Sequence, residues 1–313
     1  MSAVATAFEK LVLVTRKTRL QELIERLNSR GQAKFYIEHA GGDFSEYDRE
    51  DGAYRRSLET LRRSLDLGLK LHVLDRELVP TCLFAATDLI VAIGQDGLVA
   101  NTAKYVGEQP IVAVNPDPAR FDGILLRFRP EEARPAVERV LEGRAAIRKV
   151  TLGEVTLNDG QRLVAFNDFF IGARSHVSAR YRILFAGKSE VQSSSGVLVS
   201  TGAGSTGWLS SVFNMAAGIA RFAGAGGIRR PVLEWEDPRL VFVVREPYAS
   251  RHSGAGLVAG ILEAPGELVI ESLMPSGGVI FSDGVEADYL AFNSGARAVV
   301  RAASTKAHLV AAA

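Results

Sequence analysis

The feature that most constrains this chain is a change of rhythm partway along it. Up to about residue 145, apolar runs of strand length alternate with stretches of helical spacing, and beyond it short strand-like runs follow one another between turn signals. "EKLVLVTRKT" is an apolar run that ends in polar residues, and in "RLQELIERLNSR" Leu20, Leu23, Ile24 and Leu27 share one helical face. Leu58, Leu61 and Leu65 keep that spacing in the next helical stretch, with Gly68 the expected stop and "LKLHVLD" the following strand. "DLIVAIG" and "PIVAVN" bracket a helix that begins near Gly97, and "PEEARPAVERVLEG" predicts a further helix stopped at Gly143. Strands joined through helices need crossovers, which predicts a parallel sheet covered on both faces, with ligands at the carboxyl ends of its strands.

The second half reads differently. Asn158-Asp159-Gly160 stands between two alternating runs, a strong hairpin signal, and "ARYRILFAG", "SSGVLVSTG", "RLVFVV", "GELVIES", "GGVIFSD" and "ARAVVRA" are further strands, the fifth of these turning back at Asp283-Gly284. One helix interrupts them at about "TGWLSSVFNMAAGIARF", where Leu209, Val212, Phe213 and Ala216 share a face. Two domains follow: an α/β domain over residues 1–145 and a mainly antiparallel one over 146–313, whose last residues can pack back on the first. "AGAGGIRR" and "SRHSGAGLVAG" read as mobile surface loops.

Composition excludes several functions. A formal charge of +1 with no basic run gives no footprint for nucleic acid, so the expected ligand is small. The opening residues lack a charged region followed by a long apolar one, and no apolar run reaches bilayer length, so the expected location is the cytoplasm, away from membranes. Cys82 is the only cysteine, which excludes an internal disulfide and leaves it the role of a small buried hydrophobe. The five histidines are scattered without ligand spacing, and no metal site is predicted on the protein. Trp235 reads as a packing residue, while Arg245 and Arg251 fit either an anionic ligand or ion pairs.

Chemistry concentrates in three places. In Gly94-Gln95-Asp96-Gly97 a strand ends in a glycine-flanked turn that opens a helix, so bare N–H groups and the positive helix end favour a phosphate. Asp96 there is either a helix cap or a carboxylate with work to do beside that phosphate, such as accepting a hydroxyl proton. Thr201, Gly202 and Gly204 form a second glycine-rich turn, leading to Ser205, Thr206 and Trp208 at the expected start of a helix. Asn167 and Asp168 lie in an apolar strand, where an amide suits an adenine edge and a carboxylate two vicinal hydroxyls; closure by backbone at a strand irregularity is the other reading.

These segments, in this order and followed by Asp283-Gly284, resemble the NAD kinase family over most of the chain. "VTRKTR", "SSSG", Trp208 and "REPYASR" resemble its mitochondrial type in particular. The resemblance implies a Rossmann-like N-terminal domain, a β-sandwich-like C-terminal domain, and transfer of the γ-phosphoryl of ATP, with Mg²⁺, to the 2′-hydroxyl of the adenosine ribose of NAD. It also implies a homodimer or higher homo-oligomer. Carried over, Asp96 is the base or orienter; Gly94, Gln95, Gly97, Thr201, Gly202 and Gly204 shape phosphate and nucleotide turns. Asn167, Asp168, Ser205, Thr206, Trp208 and Asp283 contact the substrate. Two positions depart from the family pattern: Gln95 stands where a second glycine is usual and Leu98 where a threonine is usual. A glutamine forced to positive φ would carry strain of about 1–3 kcal/mol. A kinase of another small hydroxyl acceptor, a sugar, polyol or nucleoside, and a nucleotide sensor without turnover are the alternatives.

Overall fold

A computed structural model describes residues 8–312; residues 1–7, on which part of the leader reading rests, lie outside them. The chain forms two compact units, one running to Arg148 and resuming at His308, the other Lys149–Ala307.

The first unit contains β1 (Lys10–Thr15), α1 (Arg19–Leu27), α2 (Arg30–His39), α3 (Phe44–Ser64), β2 (Lys70–Asp75), β3 (Asp88–Ile93), α4 (Asp96–Ala103), β4 (Pro110–Val114) and α5 (Ala133–Leu141). The strands pair in the order β2-β1-β3-β4, all parallel, and His308 and Leu309 extend the row beside β4. Strand β3 is buried throughout, as a strand covered on both faces must be. Leu61 from α3, Leu65 just beyond its end, and Ala133, Ala136 and Val137 from α5 pack on Leu11, Leu13, Val91 and Val112. Caps explain the helix starts: Thr18 and Gln21 form a reciprocal capping box on α1, Ser29 caps α2, and Asp43 caps α3. α3 ends at Ser64, with Gly68 at φ +76° just beyond, and α5 runs out into Gly143 at φ +67°. Helix α2 was not anticipated, because only Ala33 and Ile37 of its ten residues are buried.

The second unit holds β5 (Ile147–Leu157, whose first two residues belong to the first unit), β6 (Arg162–Ala165), β7 (Asp168–Ala173), β8 (Ala179–Phe185), β9 (Lys188–Ser194) and β10 (Val197–Ser200). Then come α6 (Trp208–Phe222), β11 (Leu240–Val244), β12 (Ala259–Leu262), β13 (Leu268–Ser272), β14 (Gly278–Ser282), β15 (Tyr289–Ala291) and β16 (Arg297–Val310). One antiparallel sheet has the order β12-β11-β10-β7-β14-β15; the other runs β16-β13-β8-β9, with the β5–β6 hairpin on β16. Alternate residues from the two sheets, among them Val155, Phe169, Ile171, Tyr181, Val199, Phe242, Ile270 and Val300, form a single core, so this unit is a β-sandwich. The predicted hairpins at Gly160 and at Asp283-Gly284 are present, all three residues having positive φ.

Two loop and packing expectations need correction. "SRHSGAGLVAG" is tied down: the Glu190 carboxylate accepts the N–H groups of Gly256 and Leu257 at 2.8–3.1 Å. Cys82 is half-buried just after a short 3-10 turn rather than fully enclosed.

Candidate functional site

In the first unit the candidate site lies at the carboxyl ends of β1, β3 and β4. Tyr54 ties two of those ends together, its hydroxyl accepting the Arg16 N–H at 3.0 Å and donating to the Ile93 carbonyl at 3.3 Å. Gly94 follows β3, and its N–H reaches the Val114 carbonyl. A Cβ on Gly94 would stand 2.8 Å from Leu98 Cδ2, so that side chain would have to move aside, whereas a Cβ on Gly97 would meet nothing within 4 Å. Leu98 therefore fills the volume above Gly94. Gln95 adopts φ −117° and ψ 165°, ordinary extended backbone, so the strain expected of a glutamine in this loop is absent. It stands at the N-cap position of α4 without a side-chain capping bond.

Asp96 is the first residue of α4, not its cap. Its carboxylate is half-exposed and accepts the Ile124 N–H at 3.1 Å on one oxygen and the Leu125 N–H at 2.8 Å on the other. Each oxygen keeps a lone pair, so the group is oriented by the turn after Gly123 and still able to accept a proton or a hydroxyl hydrogen bond.

The second unit assembles the other motifs around a backbone knot. The strand expected through Asn167 is broken: β6 ends at Ala165 and β7 begins at Asp168. Asp283, at φ +53°, aims its carboxylate into that break and accepts the N–H groups of Phe166 at 3.0 Å, Asn167 at 2.6 Å and Asp168 at 3.3 Å. Its own N–H returns to the Asp168 carbonyl at 2.9 Å. Asp283 thus braces the Asn167–Asp168 pair, a duty that its reading as a substrate contact did not include. The Asn167 side-chain amide makes no hydrogen bond among the described residues. Asp168 is buried, and burial, reinforced by the Asp283 charge, pushes its carboxyl up to about 7.

The glycine-rich turn of this unit packs on itself. A Cβ on Gly202 would stand 1.9 Å from the Glu234 carbonyl oxygen, and one on Gly204 would stand 2.1 Å from that of Asn167. The Thr201 hydroxyl donates to the Phe166 carbonyl at 2.6 Å and accepts the Gly204 N–H, and the buried Ser205 hydroxyl donates to the Gly202 carbonyl at 2.7 Å. Thr201, Gly202, Gly204 and Ser205 therefore shape the Asn167 region from behind, instead of presenting groups to a phosphate. The turn is a short 3-10 segment, Ala203–Thr206, and α6 starts only at Trp208. Thr206 is exposed.

Beside this knot is a cavity of about 890 Å³ floored by Phe170, Trp208 and Phe281 and edged by Arg174, His176, Ser195, Arg245, Glu246 and Glu286. Phe170 stacks on Trp208 and on Phe281, with ring centroids 5.9 and 5.0 Å apart, and Arg245 lies over Trp208 at 5.2 Å. Arg245 thus faces the rings of this cavity, at 5.9 Å from the Phe170 centroid as well. The aromatic floor was missed in the sequence, although the alternation of Asp168 and Phe170 along one strand face carried it.

Among the described residues no group of three or more His, Cys, Asp or Glu could hold a metal ion, and no helix is long and apolar enough to cross a membrane.

No family model matches this chain. It is similar to the NAD kinase of Chlorobium phaeobacteroides, 34% identical over 87 residues that cover 27% of this chain and 30% of the relative. The NAD kinase of Chlorobaculum tepidum is 29% identical over 136 residues, 42% of this chain and 44% of the relative. That of Aquifex aeolicus is 27% identical over 194 residues, 60% of this chain and 65% of the relative. The chain thus spans from about a third to just under two thirds of the length of these curated relatives. Among solved structures, a yeast NADH kinase complexed with NADH superposes with a TM-score of 0.58 at 17% identity, covering 97% of this chain and 84% of that one. An NAD kinase from Archaeoglobus fulgidus in complex with ATP gives 0.58 at 16%, covering 96% and 93%. The fold is the two-domain fold of these kinases.

Proposed function

We propose that the protein is an NAD kinase-like phosphotransferase, moving the γ-phosphoryl of ATP to the 2′-hydroxyl of the adenosine ribose of NAD to give NADP. The observation that carries this reading is Asp96: a carboxylate at the opening turn of a helix, at the carboxyl end of a parallel sheet, oriented by two backbone N–H groups with a lone pair left on each oxygen. In this reading the carboxylate accepts the proton of the attacking hydroxyl, and the bare backbone at Gly97 lets phosphate oxygens approach the first N–H groups of α4. Asn167 and Asp168 hold the adenosine, and Thr206 and Trp208 flank it. The first unit carries the phosphate loop and the second the nucleoside-binding residues.

Mg²⁺ enters as the counter-ion of the donor phosphates. That fits a donor set in which the Asp96 and Asp283 carboxylates are already held by backbone amides and no protein cage exists among the described residues. The ion supplies charge neutralisation on the transferred group. A cytoplasmic location, a homo-oligomer and kinship with the mitochondrial type complete the proposal, the last resting on "VTRKTR", "SSSG", Trp208 and "REPYASR".

One observation favours a second reading. Gln95 is exposed in the loop with no capping bond, so its amide is free to meet a sugar or polyol hydroxyl. Turnover of ATP and Mg²⁺ with NAD, NADH, nucleosides, sugars and polyols separates the two. NADP formation well above phosphorylation of every non-nucleotide supports the NAD reading, and a sugar or polyol as best acceptor overturns it.

A further inference from the structure

The run after β1, Arg16-Lys17-Thr18-Arg19, has charge in excess of what the fold needs. Glu50 of α3 is buried, 4% exposed, and three guanidinium groups converge on it. Arg16 Nη2 lies at 3.2 Å, Arg19 Nε at 2.7 Å and Arg120 Nη2 at 3.6 Å. Burial alone would push the Glu50 carboxyl up, but Arg19 and Arg16 together hold it below its ordinary value. One carboxylate against three guanidinium groups leaves a formal surplus of two positive charges. The nearby Asp51 does not cancel it, being engaged by the Thr18 hydroxyl and by Arg55.

Three details mark the surplus as a ligand site. Arg16 is nine-tenths buried, its Nε has no hydrogen-bond partner among the described residues, and its Cδ lies 3.4 Å from where a Cβ on Gly94 would stand, so it abuts the Gly94–Gly97 turn. Arg19 is the first residue of α1, where a cation opposes the positive end of the helix, and the Glu50 carboxylate that offsets it is shared with Arg16 and Arg120. Finally, Arg19 and Arg120 are 43% and 31% exposed, and the two terminal nitrogens of Arg19 make no hydrogen bond among the described residues. Arg120 comes from the segment after β4, so its guanidinium also stands at the carboxyl edge of the sheet.

We propose that Arg19 and Arg120 grip the polyphosphate chain of the phosphoryl donor, with Glu50 as the internal counter-ion that presents them and Arg16 as the positioning residue against Gly94. The inference rests on the phosphotransferase reading above and adds to it the donor-binding residues. Guanidinium forks match phosphate oxygens in pairs, and each has a ring nearby: Arg19 lies 4.3 Å over Tyr47 and Arg120 5.9 Å from the Phe121 ring centroid. The chemistry is that of linked phosphates, whether carried by ATP or by an inorganic chain.

The experiment measures the KM for ATP and for NAD, and in parallel the calorimetric Kd for inorganic tripolyphosphate without acceptor, in the wild type, Arg19→Gln and Arg120→Gln. Each substitution should raise the ATP KM and the tripolyphosphate Kd about tenfold or more, and leave the NAD KM within about twofold. The tripolyphosphate arm needs no turnover, so it decides the site even if NAD proves not to be the acceptor. Loss with both ligands supports the site, and loss with ATP while the tripolyphosphate Kd stays at its wild-type value counts against it. Unchanged binding of both in folded variants, or a rise confined to the NAD KM, overturns it. Should a variant fail to fold, Arg19→Lys keeps Glu50 paired and loses only the fork. A tripolyphosphate Kd equal to that of the wild type would then count against the proposal.

Discussion

Two glycine-rich turns that look alike in sequence do opposite things in the fold. In Gly94-Gln95-Asp96-Gly97 the second glycine faces open space, and the carboxylate beside it is held with lone pairs to spare. In Thr201-Gly202-Ala203-Gly204 the missing side chains are replaced by the protein's own carbonyl groups, 1.9 and 2.1 Å from where a Cβ would be. Glycine in a strand-to-helix turn therefore signals close approach, and only the tertiary structure tells whether a ligand or another segment approaches. The first turn leaves open space beside a held carboxylate, and the second holds Asn167 in place.

That contrast is broken most easily by adding methyl groups. Gly202→Ala and Gly204→Ala must push main chain apart and should lower stability by about 1–3 kcal/mol or more, read as a fall in the unfolding midpoint. Gly97→Ala should fold normally, gaining about 0.5–1 kcal/mol from its helical position, yet lose turnover, because the methyl stands where phosphate oxygens must come close. Equal destabilisation at Gly97 and Gly204 would erase the distinction.

Asp168 sharpens the comparison from the second side. Its carboxyl takes up a proton near pH 7 in the folded protein because burial, and then the Asp283 charge, disfavour the anion, whereas in the unfolded chain it does so near pH 4. Between those values the folded state holds a proton that the unfolded state has released. Stability therefore falls as pH rises through that window, by up to about 1.4 kcal/mol per unit. Asp168→Asn should flatten this slope and be more stable than wild type at pH 8, as urea midpoints across pH 4.5–8 would show; an unchanged slope would place the titration elsewhere.

The smallest effect is expected at Gln95. Since its backbone is extended and unstrained, Gln95→Gly should shift stability by no more than about 0.5 kcal/mol and leave the ratio of NAD to polyol phosphorylation unchanged. A wild type inert toward NAD that gains the activity on this substitution would promote the second acceptor reading.

Much of the fold was legible because its signals are local. Apolar runs such as "LIVAI" fit buried parallel strands, and Asn158-Asp159-Gly160 between alternating runs fits a hairpin turn. Polar β9, "KSEVQSS", and the short edge strands β12 and β15 escaped notice because their residues are mostly exposed or half-buried and carry little alternation. Within the site, Asp96 stood out by its setting between glycines. The duty of Asp283 could not be seen, since its partners lie 115 to 117 residues away and are backbone N–H groups that carry no residue signature. The same holds for Glu50, which joins Arg16, Arg19 and Arg120 only through the tertiary fold.

The central claim is that the Asp96 carboxylate, held by Ile124 and Leu125, serves the transfer of a phosphoryl group to NAD. Its most direct test is the rate of NADP formation from ATP, Mg²⁺ and NAD by wild type and Asp96→Asn, with NAD binding measured on both and folding verified by the unfolding midpoint, since the amide can accept only one of the two N–H bonds. A loss of roughly 10²–10⁴ in kcat with NAD affinity retained is the predicted result. An Asp96→Asn protein that turns over NAD at near the wild-type rate would contradict it.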